Sequence, residues 1–216
     1  MTLSEFIRQV ATLYENASKT TNNNVKIRRG RSRSISAEAE DLFAELLVMN
    51  DQSIEMIRVD QPITIPTDLL PNKKSFQVYP DIVIIKNEHI KALIDLKMDL
   101  GWNRDGLIDT CKKHEQTVRL AQGGFGKLKD GQTKAKQEIR FSEDLTYSVV
   151  IVSATNINSD KLAHQVSNSN LISERIHTYI LSGGLHPNGY WRSCPTFQRK
   201  LIINDSEFES LLDRIA

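Results

Sequence analysis

Cysteine is nearly absent from the 216-residue chain: Cys111 and Cys194 are the two present, and neither belongs to a C-x-x-C pair. A disulfide framework and a structural zinc ribbon are excluded by count and spacing, so the sequence reads as carrying free thiols in a reducing compartment. With 10 Gly and 6 Pro there is no room for a fibrous or low-complexity chain. No apolar run approaches the roughly eighteen residues that a membrane span needs, the longest being Tyr147 to Ala154. The first residues, MTLSEFIRQV, lack the basic start and apolar block of a signal peptide. These absences predict a cytoplasmic protein with no membrane partner. No internal repeat is present, and an excess of one charge is missing too, because 28 basic residues nearly cancel 27 acidic ones.

What is present is ordinary globular usage, 39% hydrophobic and 25% charged, at a length of about one and a half typical domains. We read residues 1–216 as one domain: an N-terminal helix and basic connection (1–35), a core (36–155), and a helical and loop-rich elaboration (156–216). Charge is segregated along it. Lys26, Arg28, Arg29, Arg31 and Arg33 place five cations in eight positions. From Ser34 to Asp60 the sign reverses, with Glu38, Glu40, Asp41, Glu45, Asp51, Glu55 and Asp60 against Arg58 alone. A second basic region, Lys127, Lys129, Lys134, Lys136 and Arg140, is opposed by Asp130 and Glu138. Basic flanks around an acidic centre suit a metal-dependent nuclease, since phosphates need cations and divalent metals need carboxylates. Each cluster alone also fits a solvated loop.

Hydrophobic periodicity predicts a helix over residues 3–16 and another from Ala37 to about Met49, with Ser36 as its N-cap and Ala39, Leu42, Phe43, Leu46 and Met49 as its apolar stripe. Ser53 to Ile65 reads as a strand. Gln77 to Ile85 and Ile90 to Met98, separated by the polar turn Lys86 to His89, read as a hairpin. A helix from Arg104 to Gln122 follows, then a Gly-rich basic segment, then a fully apolar strand over 146–154. Two helices, 160–167 and 169–182, a loop, a short strand near Leu201 to Ile203 and a closing helix from Ser206 complete the chain.

In the predicted hairpin Asp81 opens the first strand after Pro80, while Asp95 and Lys97 lie two apart on the second and share a face. Pairing across the turn can bring Asp81 beside them. By chance an acid two residues before a lysine is expected about twice in a chain of this composition; it occurs once, in the same hairpin as the single Pro-Asp. An acid and a lysine alternating with Ile94 and Leu96 in so apolar a stretch call for partners or a ligand.

Pro80-Asp81, thirteen further residues, then Asp95-Leu96-Lys97 resembles the motif of the PD-(D/E)xK nuclease superfamily. The order acidic helix, strand, two motif strands, helix, buried strand over residues 36–155 resembles its restriction-endonuclease-like αβββαβ core, a mixed central sheet flanked by helices. That resemblance implies Asp81 and Asp95 as ligands of Mg2+, for which Mn2+ can substitute, the carbonyl of Leu96 as a further ligand, and Lys97 as the group that activates the attacking water. It also implies a glutamate from the preceding helix. Ser34-Ile35-Ser36 followed by Glu40-Asp41-Leu42 resembles the start of that helix in several small type II restriction endonucleases, which makes Glu40 the catalytic candidate. Helical geometry leaves Glu38 open, because it borders the apolar stripe four residues before Leu42.

Chemistry and resemblance together lead to the expectation of a homodimeric endonuclease acting on double-stranded DNA, sequence-specific in the manner of a type II restriction enzyme. Arg28, Arg29, Arg31, Arg33, Arg104, Lys127 and Lys129 are its candidate phosphate contacts, and the Asn-rich segment from Asn156 to Arg192 a candidate for reading base edges. A Holliday-junction resolvase, a repair endonuclease, and a non-catalytic DNA-binding module of the same fold remain open. GGFGK is not a phosphate-binding P-loop, since Leu128 follows Lys127 where Ser or Thr is required. Cys111 and His114, at i and i+3, are too few to make a zinc site.

Overall fold

Thr2 and Glu5 close a reciprocal capping box at the start of the first helix, α1 (Leu3–Ser18), each side chain accepting the other residue's backbone N–H. Its buried residues Leu3, Phe6, Ile7 and Val10 recur at helical spacing, and the Phe6 ring meets Phe43 of α2 (Ser36–Asn50) at 5.5 Å between centroids. The computed structural model that shows this describes residues 1–19, 33–67, 74–101, 106–131, 133–188 and 200–216.

Helix α2 differs from expectation in two ways. Ser36 is its first helical residue and not its cap; Ile35 holds the cap position with no side-chain bond. The buried stripe is Ala39, Phe43, Leu46 and Leu47, while Met49 is exposed and Leu42 only partly covered. That rotation places Glu40 in line with Phe43 and Leu47, at i, i+3 and i+7. Glu38 goes with Asp41 and Glu45 to the outside.

Among the described residues eight strands form one mixed sheet: β1 (Met56–Val59), β2 (Ile63–Pro66), β3 (Ser75–Val78), β4 (Ile82–Lys86), β5 (His89–Lys97), β6 (Phe125–Lys129), β7 (Lys136–Ile151) and β8 (Ile176–Ile180). Their order is β1-β4-β5-β7-β6-β2-β3, with β8 also beside β7. The 16-residue β7 has room for two neighbours on one edge: residues 136–140 pair antiparallel with β6 and 147–151 parallel with β8. Its other edge pairs parallel with β5. The turn between β4 and β5 is two residues, Asn87 and Glu88, both at positive φ (49° and 62°), as a type I′ hairpin requires.

The predicted strand from Ser53 to Ile65 is two strands, broken at Asp60 by a φ of 47°. The break sends β1 to β4 and β2 to β3 and β6. The run Gln77 to Ile85 is divided likewise, at Tyr79-Pro80-Asp81, where proline cannot donate to a ladder. The Gly-rich basic segment contains β6, whose exposed residues include Lys127 and Lys129. The predicted helix over 169–182 is instead the end of α4 (Ser159–Asn170) and then β8; the β-branched Ile176, Thr178 and Ile180 favour a strand and pair with β7. A two-stranded pair, β9 (Ser182–Gly183) with β10 (Ile202–Ile203), leads to α5 (Asp205–Ile215).

Helices cover both faces. Alternation along β4 sends Ile82 and Ile84 to a core shared with α1, α2 and α5, and Val83 and Ile85 to one shared with α3 (Leu107–Ala121) and α4. Among the described residues no helix is long and apolar enough to cross a membrane.

Candidate active site

The β4–β5 register pairs Ile82 with Ile94, so Asp81, one residue before β4, meets the end of β5 where Asp95 and Lys97 stand. There β4 stops while β5 continues, and the Leu96 N–H, left without a strand partner on that edge, donates to Asp81 Oδ2 at 2.6 Å. On the opposite edge the Lys97 carbonyl accepts the Val152 N–H at 2.8 Å. Because N–H and C=O of one strand residue point the same way, the Leu96 carbonyl is directed to the Asp81 side. Lys97 Nζ lies 3.3 Å from Asp81 Oδ2 and 3.6 Å from Asp95 Oδ2, between the two acids.

The electrostatics divide the acids. Burial is the largest influence on Asp81 and, with the like charge of Asp95, pushes its carboxyl above the usual range against the pull of Lys97 and the Leu96 N–H. Burial also pushes Asp95 up, but the close approach of His114, together with Lys97 and the Tyr147 hydroxyl, outweighs it and holds Asp95 low. Desolvation works against the Lys97 ammonium; attraction from Asp95 and Asp81 exceeds it and raises its pKa. Glu40 reaches the same field from α2: burial first, then the like charges of Asp81 and Asp60, push it up to about 6.

A hard divalent cation fits this donor set. Carboxylates repelling one another, with a carbonyl turned to the same side and an ammonium partly neutralising them, offer oxygen ligands for a positive charge. Among the described residues no three His, Cys, Asp or Glu side chains are gathered to hold a metal by themselves. Mg2+ does not need that, since it keeps several waters and binds through one or two carboxylates and substrate phosphates.

Two residues outside the sequence-predicted set join the site: Tyr147, and His114, which the sequence presents only as half of an incomplete zinc pair with Cys111. Tyr147, on β7, donates its hydroxyl to Asp95 Oδ1 at 2.8 Å, and His114, on α3, brings Nε2 to 3.3 Å from Asp95 Oδ2. Their rings stack, 3.8 Å between centroids and 12° from parallel. One signal was available: His114 interrupts the buried stripe Leu107, Cys111 and Val118, and a polar group on such a stripe needs a partner. Cys111 does not join it, facing Thr178 Oγ1 at 3.8 Å. A cavity of about 460 Å³ opens beside Asp95, lined among others by Tyr79, Lys113, His114 and Gln116.

The candidate phosphate contacts fare unevenly. Arg28, Arg29, Arg31 and Arg104 lie outside the described residues. Arg33 donates from Nη2 to the Asn16 carbonyl at 3.2 Å and so closes the end of α1. Lys127 and Lys129 are exposed. The Lys129 carbonyl accepts from Gln61 Nε2 at 2.9 Å, and Asp60, next in chain, donates its N–H to the Asp81 carbonyl at 2.8 Å, which ties β6 to the acid pair. In the Asn-rich segment several polar groups expected to read bases are already engaged. Asn158 caps α4, Asn170 accepts the Thr178 N–H, and Arg175 holds the Glu143 carbonyl. Tyr190 and Arg192 lie outside the described residues.

No protein-family model matches the chain, and a search of curated proteins finds no match.

Proposed function

We propose that the chain is a magnesium-dependent endonuclease of the PD-(D/E)xK type that hydrolyses double-stranded DNA at specific sites, as a type II restriction endonuclease does, working in the cytoplasm as a homodimer. The observation that carries this reading is the meeting of Asp81, Asp95 and Lys97 at the ends of β4 and β5, with Lys97 Nζ 3.3 and 3.6 Å from the two acids. The order α2, β1, β4, β5, α3, β7 supports a restriction-endonuclease-like αβββαβ core, with β2 and β3 inserted after its first strand and β6 before its last.

Asp81, Asp95 and the Leu96 carbonyl would hold Mg2+ or Mn2+, which when bound stabilises charge on the phosphate and lowers the pKa of a water. Lys97, kept cationic by the acids, balances negative charge developing on the phosphoryl oxygens. Glu40, with its pKa near 6, can accept a proton from the attacking water near neutral pH. The cavity beside Asp95 gives the substrate room to approach. One site per chain cuts one strand, so a double-strand break requires two copies related by a two-fold axis.

Incubation of plasmid DNA with the protein and Mg2+ tests the reading. A fixed set of linear fragments whose ends share one short palindrome is expected, absent with Asp95→Ala or with chelator. Cutting of four-way junctions but not linear duplex would replace site-specific restriction with junction resolution. A dimer that binds duplex and never cuts would make it a non-catalytic module.

A further inference from the structure

Asp95 is held by groups from outside the motif. Tyr147 reaches its Oδ1 from β7, His114 approaches its Oδ2 from α3, and the two rings lie against each other. The β5–β7 register explains the reach of Tyr147: it stands opposite Leu93, one same-face position before Asp95, whose own partner is Val149. Tyr147 is 3% exposed. A buried ring that served only to fill volume would be as well supplied by phenylalanine, whereas a buried hydroxyl costs free energy unless it is bonded. Its bonding partner is the Asp95 carboxylate.

A carboxylate turns easily about its last torsion, which has no sharp staggered wells. Mg2+ demands near-octahedral ligand directions, so a freely turning carboxylate is a poor ligand for it. An ionised carboxylate also has about four lone-pair sites, and the bond from Tyr147 with the approach of His114 leaves others for a metal. Asp81 is steadied differently, by the Leu96 N–H of the motif strand itself.

We propose that Tyr147 is a positioning residue that, with His114, fixes the Asp95 carboxylate in the orientation required to bind a divalent cation; this rests on the reading of Asp95 as a metal ligand. Outer partners of metal ligands characteristically contribute roughly 10- to 100-fold in metal affinity. The assignment places two residues from α3 and β7 in the site without either touching the metal.

The test measures Mn2+ binding to the full chain without DNA, by electron paramagnetic resonance of the free ion, for the parent, Tyr147→Phe and Asp95→Ala, with thermal melting alongside. Tyr147→Phe keeps the ring against His114 and removes only the hydroxyl. The expected result is Mn2+ affinity about 10- to 100-fold weaker in a variant that still unfolds in one cooperative transition above the assay temperature, with the half-saturating Mn2+ for cleavage raised by a similar factor and the rate restored at saturating Mn2+. Parent-like affinity in a folded Tyr147→Phe overturns the proposal, as the hydroxyl then only satisfies a buried bond. If Asp95→Ala also binds Mn2+ like the parent, or the parent binds none, the metal-ligand reading itself fails and takes this one with it. If Tyr147→Phe is unfolded at the assay temperature, His114→Asn is measured in its place: weaker Mn2+ binding by the folded variant upholds the proposal and parent-like binding overturns it.

Discussion

The Asp81 carboxylate accepts the backbone N–H of Leu96 at 2.6 Å, so the side chain of one motif residue takes the place of the strand that ends beside the other. This bond gives Asp81 a structural role beside the metal-binding one proposed for it, and the two roles separate by substitution.

Asp81→Asn keeps an oxygen that can accept the Leu96 N–H and lowers the charge; Asp81→Ala leaves that N–H without its acceptor. Both variants are expected to lose cleavage. Asp81→Ala should be less stable than Asp81→Asn by about 1–3 kcal/mol, the cost of an unsatisfied buried donor. Urea unfolding of the two variants checks this, and equal midpoints would mean that water replaces the carboxylate.

Mg2+ and Mn2+ are expected to support cutting, and Ca2+ to support DNA binding with little cutting, because the donor set is all oxygen. Binding to the folded chain alone should also raise its melting temperature in the absence of DNA. Full activity in excess chelator, scored on a gel, would remove the metal from the reaction.

Glu40 carries a pH prediction. Its pKa of about 6 in the fold, against an ordinary 4.5, means that the native chain holds its proton more tightly than the unfolded chain. The stabilising contribution is present below the unfolded value and is lost as pH rises through about 6. Glu40→Gln mimics the protonated acid, so it should melt higher than the parent at pH 7.5 and level with it near pH 4.5. Its cleavage rate should fall by roughly 10²- to 10⁴-fold if Glu40 moves the proton. A melting difference that does not change with pH would show that Glu40 titrates alike in the folded and unfolded chain.

The exposed lysines of β6 are predicted to touch phosphates. Lys127→Ala with Lys129→Ala should weaken duplex binding and reduce the slope of log affinity against log salt by about one for each phosphate no longer neutralised. The slope, measured by fluorescence anisotropy in Ca2+, should fall further when Arg28, Arg29 and Arg31 are also neutralised. Arg33 is left intact in that series because it holds the end of α1. An unchanged slope would make these segments solvated surface.

The meeting of Asp81, Asp95 and Lys97 was legible because it is built from local rules. A strand alternates its faces, a two-residue turn folds β4 onto β5, and Pro80 marks where the first strand begins. The choice between Glu38 and Glu40 was not legible, since it depends on which way α2 rolls against the sheet. Leu47 goes in and Met49 stays out, a difference that two similarly apolar side chains cannot announce. The strand at Ile176–Ile180 was read as helix for a related reason: its conformation comes from pairing with β7, about thirty residues away along the chain.

Tyr147 and His114 show where the division falls. By itself the sequence determined the helices with clear 3.6-residue periodicity, the β4–β5 hairpin and the motif acids on it, because these depend on neighbours within a few residues and on side-chain direction. Only the tertiary structure decided that β7 lies parallel to β5 with Tyr147 opposite Leu93, and that α3 presents His114 to the same carboxylate. Strand order and register are settled by the burial of whole apolar faces against distant elements, and that free energy belongs to no single segment of the chain.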